Sequence, residues 1–162
     1  MREDKVLPLE ELARRVAALK AAGKRVAHCH GCFDLVHPGH IKHFQAARRM
    51  ADALVVTVSP DRFVDKGPGR PAFPEQLRAE SVAALECVDY AAVNQWPTAE
   101  ETIRLLRPDY YVKGQEFELP ENRTEKLRRE VDAVRAAGGE MRFTHGFVSS
   151  STALLKKHFG AP

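Results

Sequence analysis

Gly31-Cys32-Phe33-Asp34-Leu35-Val36-His37-Pro38-Gly39-His40 decides how the rest of this chain folds. Before it lies a short run of strand character at 25–30. After it, Ile41, Phe44, Ala47 and Met50 keep the spacing of one helix face. The segment therefore reads as a strand-to-helix turn. Pro38 suits the first helical position, because its missing N–H would have had no partner there. His37 and His40 then stand at the mouth of a helix, beside its unpaired N–H groups and the positive end of its dipole. Such a place favours phosphate.

Working outward, Leu9, Leu12, Val16 and Leu19 form an amphipathic helix ending near Gly23. Residues 53–58 (ALVVTV) are a continuous apolar run, as in a strand buried on both faces. A loop rich in Pro, Gly and basic residues follows at 59–73. Pro74 opens a helix running through Leu77 and Leu85, and 88–93 is the next strand. Thr98 with Glu101 has the spacing of a capping box, predicting a helix over 99–107 with Ile103 and Leu106 inward and Pro108 as its stop. A strand at 109–112 leads into Lys113-Gly114. Leu127, Val131 and Val134 mark another helix face closed by Gly138-Gly139. A last strand at 141–144 and a last helix at 150–159 complete the chain.

Strands alternating with helices predict an α/β, Rossmann-like, doubly wound parallel sheet of about five strands with right-handed crossovers. Residues 1–162 read as one domain, with an N-terminal helix in 1–23 and a core over 24–159. In such sheets ligands bind beyond the carboxyl ends of the strands. The 37–40 turn, the 59–73 loop, Lys113-Gly114 and residues 149–152 all follow strands on that edge.

Composition narrows the class. At 44% hydrophobic and 29% charged residues the chain is ordinary globular protein. No apolar run approaches the ~20 residues of a membrane span. The charged N-terminus lacks the apolar stretch of a signal peptide, so a cytoplasmic protein without membrane contact is expected. Lys+Arg (25) nearly balance Asp+Glu (22), which offers no polybasic arm for nucleic acid but suits capture of small polyanions. Three cysteines argue against a disulfide framework. Cys29 and Cys32 have no second pair to complete a zinc site and lie off a helix N-terminus, so strand packing is expected of them.

Phosphoryl and nucleotidyl transfer need reacting groups in line and fixed donors for spreading negative charge. The candidate donors are His37, His40, Lys66, Arg70, Arg78 and Lys113, with backbone N–H groups at two helix starts. Neither a Walker A motif nor a GxGxxG is present.

On these residues the chain resembles the HxGH nucleotidyltransferases, the cytidylyltransferase-like superfamily that includes glycerol-3-phosphate cytidylyltransferases. GCFDLVHPGH carries the signature. Lys66-Gly67-Pro68-Gly69-Arg70-Pro71, Arg78 in EQLRAE, residues 84–89, Arg107-Pro108-Asp109, Val112-Lys113-Gly114 and Ser150-Ser151-Thr152 are similar to the nucleotidyltransferase domains of ADP-heptose synthases. They also resemble related domains fused to sugar kinases. Matching segments span about 24–159.

The resemblance implies that an NTP and a phosphorylated acceptor give a nucleotidyl-linked product and pyrophosphate. His37 and His40 would stabilise the α-phosphate, and Lys66 and Arg70 would bind pyrophosphate or the acceptor phosphate. Gly31, Phe33, Asp34, Gly39, Lys113, Gly114, Ser150, Ser151 and Thr152 would form the nucleotide site. Arg78 and Trp96 would meet the acceptor. Mg²⁺ would arrive on the triphosphate without protein ligands of its own. A homodimer, and membership of a longer kinase fusion, are implied as well.

Two departures keep the base open between adenine and cytosine. His145-Gly146-Phe147-Val148-Ser149-Ser150 replaces an arginine-bearing RTEGIST-like segment, and Trp96 is closer to the cytidylyltransferase pattern. The expected reaction is transfer of AMP or CMP to a heptose-1-phosphate-type sugar. The alternatives are a cytidylyltransferase acting on a polyol phosphate or small phosphonate, and a nucleotide-binding module without catalysis. His28, His30, His43 and His145 are expected to be structural or peripheral. Ser150–Thr152 would serve as a helix cap in any case.

Overall fold

The computed structural model describes residues 4–160. Its elements alternate as α1 (Leu9–Ala21), β1 (Val26–Gly31), α2 (Pro38–Arg49), β2 (Ala53–Val58), α3 (Glu75–Ala83), β3 (Tyr90–Val93), α4 (Glu100–Leu106), β4 (Tyr110–Gly114), α5 (Glu125–Ala136), β5 (Glu140–Thr144) and α6 (Ser151–Phe159). The five strands form one parallel sheet in the order β3-β2-β1-β4-β5. Strand order reverses between β1 and β4, which opens a crevice at their carboxyl ends.

Side-chain alternation along β1 divides the core. Ala27 and Cys29 pack with Phe44 and Ala47 of α2 and with Ala79 and Val82 of α3. On the other face, Val26 packs against Leu12 and Val16 of α1, while Tyr111 meets α4 and α5. Every residue of β2 is buried, as its unbroken apolar run predicts.

Aspartates fix the amino ends of the strands. Asp109 accepts from Val26 N–H and Asp89 from Leu54 N–H, each at 2.8 Å. The N-terminal segment seals the β3 edge through Ala91 N–H to Lys5 O (2.8 Å) and Leu7 N–H to Ala91 O (2.9 Å). Lys5 Nζ also donates to the carbonyls of Ala83, Leu85 and Val88 at 3.1, 3.1 and 2.7 Å, closing the C-terminal end of α3. Among the described residues no helix is long and apolar enough to cross a membrane.

Two local expectations change. The Thr98/Glu101 capping box does not form: Ala99 holds the N-cap of α4, and Glu101 turns to Arg104. The cap is tertiary instead, since Ala99 N–H donates to Glu130 Oε1 of α5 at 2.9 Å. In α3 the inward face is Arg78, Ala79, Val82 and Ala83, leaving Leu77 at 48% exposure. A buried arginine, not a leucine, sets the facing of that helix.

Candidate active site

His37 caps α2, its Nδ1 accepting from Gly39 N–H at 3.1 Å. Its ring stacks on His40 with centroids 3.8 Å apart and planes 23° off parallel. Phe33 holds this stack from below, edge-on to His40 at 5.2 Å and to Phe44 at 4.9 Å. To do so Phe33 adopts φ +48°, a left-handed conformation that a bulky residue takes only when its surroundings enforce it. Glycine is required at two neighbours. A Cβ at Gly31 would come within 2.9 Å of the Phe33 ring, and one at Gly39 within 2.8 Å of His37 and 3.2 Å of Ser149 N.

Both imidazoles keep one buried nitrogen without a partner, Nε2 of His37 and Nδ1 of His40. Buried polar atoms are nearly always paired, so orphans at a helix N-terminus mark a place made for an anion. Burial lowers the His37 pKa from its ordinary value. It pushes His40 down to about 4, helped by the charges of His37, His43 and Lys66. At neutral pH the pair is therefore uncharged, and each ring carries one N–H.

The 59–73 loop is drawn over this turn by Asp34. Burial alone would raise that carboxyl, but hydrogen bonds from Ala72, Arg70 and Phe73 outweigh it and hold its pKa below the usual range. Arg70 Nε donates to Asp34 at 2.6 Å, Ala72 N–H at 2.7 Å and Phe73 N–H at 3.2 Å. The other end of the Arg70 guanidinium reaches α6, with Ser151 Oγ at 3.2 Å and Thr152 Oγ1 at 3.5 Å. Ser150 caps that helix, accepting from Ala153 N–H at 3.2 Å. Arg70 thus brings a cation to the α6 N-terminus, whose preceding segment lacks the arginine of the RTEGIST-like pattern. Lys66 stands exposed in the same loop, its charge felt at His40.

Three expected site residues take other roles. Asp34 does not line the nucleotide pocket, because both its oxygens are occupied by the loop it anchors. Arg78 cannot meet an acceptor. It is fully buried and donates to the carbonyls of Cys32, Ser59 and Phe73 and to Asp61, at 2.7–2.9 Å. Trp96 packs into the α1 cluster with Leu7, Leu19 and Tyr90, away from the histidines.

A cleft of about 200 Å³ opens between the N-terminus of α2 and the carboxyl ends of β4 and β5. Phe33, Gly39, His40, Lys113, Gly114 and Ser149 all reach it. Lys113 Nζ donates to His30 O at 2.9 Å, and burial lowers its pKa from the ordinary lysine value. Three histidines expected to be peripheral border the cleft too. His30 binds Thr57 Oγ1 (2.9 Å) and Ser59 Oγ (3.3 Å). His43 binds Thr144 Oγ1 (2.6 Å) and Cys29 Sγ (3.5 Å), and His145 pairs with Glu118 at 2.7 Å. The signal for His43 was its spacing, one helical turn beyond His40. Among the described residues no group of three or more His, Cys, Asp or Glu is placed to hold a metal ion, and the three cysteines are free.

A family model described as cytidylyltransferase-like matches residues 28–157. The chain belongs to the cytidylyltransferase-like family. Among similar curated proteins are the bifunctional protein HldE of Gluconobacter oxydans (strain 621H), 41% identical over 138 residues, and that of Bradyrhizobium sp. (strain ORS 278), 43% identical over 142 residues. They are matched over 84% and 86% of this chain, which spans 28% of the length of each. The crystal structure of a lipopolysaccharide core biosynthesis protein from Thermoplasma volcanium GSS1 superposes with a TM-score of 0.63 at 22% identity. That match covers 78% of this chain and all of the other, and the two share a fold.

The cytidylyltransferase-like core also holds a histidine that acid should titrate. His28 is fully buried, with Nε2 on Thr57 Oγ1 at 2.8 Å and Nδ1 unpartnered, and burial pushes its pKa down to about 3. The unfolded chain, with an ordinary histidine pKa near 6.5, binds the extra proton first. Stability is therefore full above about pH 6.5 and lost as pH falls toward 3. The loss from His28 is about 3 kcal/mol by pH 4. Urea denaturation at pH 7 and pH 4 should show this decline, flattened in His28→Leu; a flat wild-type profile would contradict it.

Proposed function

We propose that this domain transfers AMP from ATP to a heptose-1-phosphate-type sugar phosphate and releases pyrophosphate. The observation carrying this reading is the stacked, neutral His37/His40 pair, whose unpartnered nitrogens lie at the N-terminus of α2. An acceptor phosphate oxygen attacks the α-phosphorus, the α–β anhydride bond breaks, and pyrophosphate leaves. No covalent enzyme intermediate is needed. The two imidazole N–H groups and the α2 backbone meet charge on the α-phosphate. Arg70, Lys66 and the hydroxyls of Ser150, Ser151 and Thr152 meet the β- and γ-phosphates, and Gly39 permits close backbone approach. Mg²⁺ carried on the triphosphate would neutralise part of its charge, with no protein ligands of its own among the described residues.

The sugar acceptor is supported by the resemblance to ADP-heptose synthases and by the HldE relatives. A homodimer and linkage to a sugar-kinase domain belong to the same proposal. Transfer of CMP from CTP is the second reading, favoured by the family's cytidylyltransferase-like description. Trp96, which pointed to cytosine in the sequence, no longer supports it, because its ring is packed against α1.

A thermal-shift panel of ATP, CTP, GTP and UTP with Mg²⁺ tests the donor. A ligand at 100 times its Kd stabilises by about 2.7 kcal/mol, roughly 5–10 °C for a domain of this size. A shift selective for ATP is expected. One selective for CTP would transfer the reading to CMP, and no shift with any nucleotide would overturn it.

A further inference from the structure

Lys42, Lys113 and Glu116 put charge along the cleft beside His40. The phosphate chemistry leaves unused two neutral side chains of the same cleft, His43 of α2 and Thr144 at the end of β5. His43 lies one helical turn, about 5.4 Å, further along α2 than His40. Its ring ties three elements together, with Nε2 3.5 Å from Cys29 Sγ of β1 and Nδ1 2.6 Å from Thr144 Oγ1. Burial pushes the Cys29 thiol up to about 12, so it keeps its proton. Burial, helped by the Lys113 charge, pushes His43 down to about 4, so its ring is neutral and carries a single N–H.

That proton serves one partner only. On Nδ1 it would be donated to Thr144, whose own O–H would then be a buried donor left over. On Nε2 it is donated to Cys29 Sγ, the Thr144 O–H donates to Nδ1, and both strong donors are met. The 2.6 Å separation also fits an O–H donor, since N–H···O bonds run longer. Thr144 Oγ1 thus keeps acceptor lone pairs and has no proton to give. It is buried, and among the described residues its hydroxyl makes no other hydrogen bond. A ligand group that meets it must be a donor, which excludes phosphate. Phe117, Phe147 and Val148 give the cleft an apolar rim suited to a flat base. The exocyclic amino group of adenine or cytosine is such a donor, whereas the oxo group of hypoxanthine or uracil is an acceptor.

We propose that Thr144 Oγ1, locked as an acceptor by the His43–Cys29 bridge, takes a hydrogen bond from the exocyclic amino group of the base and makes the domain selective for amino over oxo bases. This rests on the nucleotidyl-transfer reading above and names the group that reads the base. Thr144 touches the base, and His43 is a positioning residue that fixes which way the hydroxyl points.

Calorimetric Kd values with Mg²⁺ for two matched pairs, ATP against ITP and CTP against UTP, test it without depending on turnover. Within each pair an amino group is exchanged for an oxo group. In the pair it binds, the wild type should favour the amino member about 10-fold or more, because an oxo group would set acceptor against acceptor. Thr144→Val, which keeps the shape of the side chain, should bring the ratio below about 3-fold. Thr144→Ser should hold the wild-type ratio, since it restores the hydroxyl. His43→Phe frees the hydroxyl to turn and donate, so it should narrow the ratio by tightening the oxo member. Equal wild-type affinity within both pairs overturns the proposal while leaving nucleotidyl transfer standing. So does an unchanged ratio in Thr144→Val, or a ratio lost equally in Thr144→Val and Thr144→Ser, which would assign Thr144 to packing alone. Failure to bind any nucleotide overturns the parent reading and this one together.

Discussion

His37→Ala and His40→Ala each lower kcat for pyrophosphate release by about 10²–10³-fold, the loss expected when one preorganised donor to a developing charge is removed. Their stabilities should fall far less. His37→Ala forfeits a helix cap, about 1 kcal/mol. His40→Ala loses its stack on His37, its edge contact with Phe33 and its interaction with the Leu35 backbone, while its orphan Nδ1 leaves nothing stranded. The two readings of the pair, structural and catalytic, thus separate in one experiment combining steady-state kinetics with thermal denaturation. Near-normal turnover in either variant, or a loss of activity matched by unfolding, would contradict a catalytic role.

Arg78→Met should cost about 3–5 kcal/mol, the largest effect expected outside the apolar core. The guanidinium joins three segments: the 31–34 turn through Cys32 O, the carboxyl end of β2 through Ser59 O, and the start of α3 through Phe73 O. Removing it strands three part-buried carbonyls and leaves Asp61 without its ion-pair partner. Lysine should rescue little, because one ammonium cannot span a planar fork of acceptors. Activity should fall as well, since the loop carrying Lys66 and Arg70 leaves and returns at the points Arg78 holds. Urea denaturation checks the first effect. An acceptor-binding arginine would instead raise the acceptor KM at unchanged stability, and that outcome would refute the assignment.

These two predictions mark where the sequence could and could not be read. Local pattern was enough for the strand-turn-helix at 31–40, because Pro38, the paired histidines and the following apolar face all act within one turn. It was enough for β2, whose apolar run fits a strand buried on both faces. Pattern failed where a polar side chain finds its partner far along the chain. Asp34 meets residues 70–73, Arg78 meets Cys32, and Glu130 caps α4. For Asp34 and Arg78 the residue type suggested ligand binding, and for α4 the Thr98/Glu101 spacing suggested a local cap, while tertiary pairing decided otherwise. His43 and Glu116 were missed for the converse reason. His43 offered only its one-turn spacing from His40 and Glu116 no local signal, and the closure of α2 against β4 and β5 brings them to the cleft.

The most direct measurement is product formation by the wild-type chain with α-³²P-labelled ATP or CTP, Mg²⁺ and a heptose 1-phosphate. Nucleotidyl transfer requires labelled nucleotidyl sugar and pyrophosphate in equal amounts, with ATP the preferred donor and His37→Ala as the inactive control. Nucleotide binding without label transfer, under any of these pairings, would contradict it and leave a binding module in place of an enzyme.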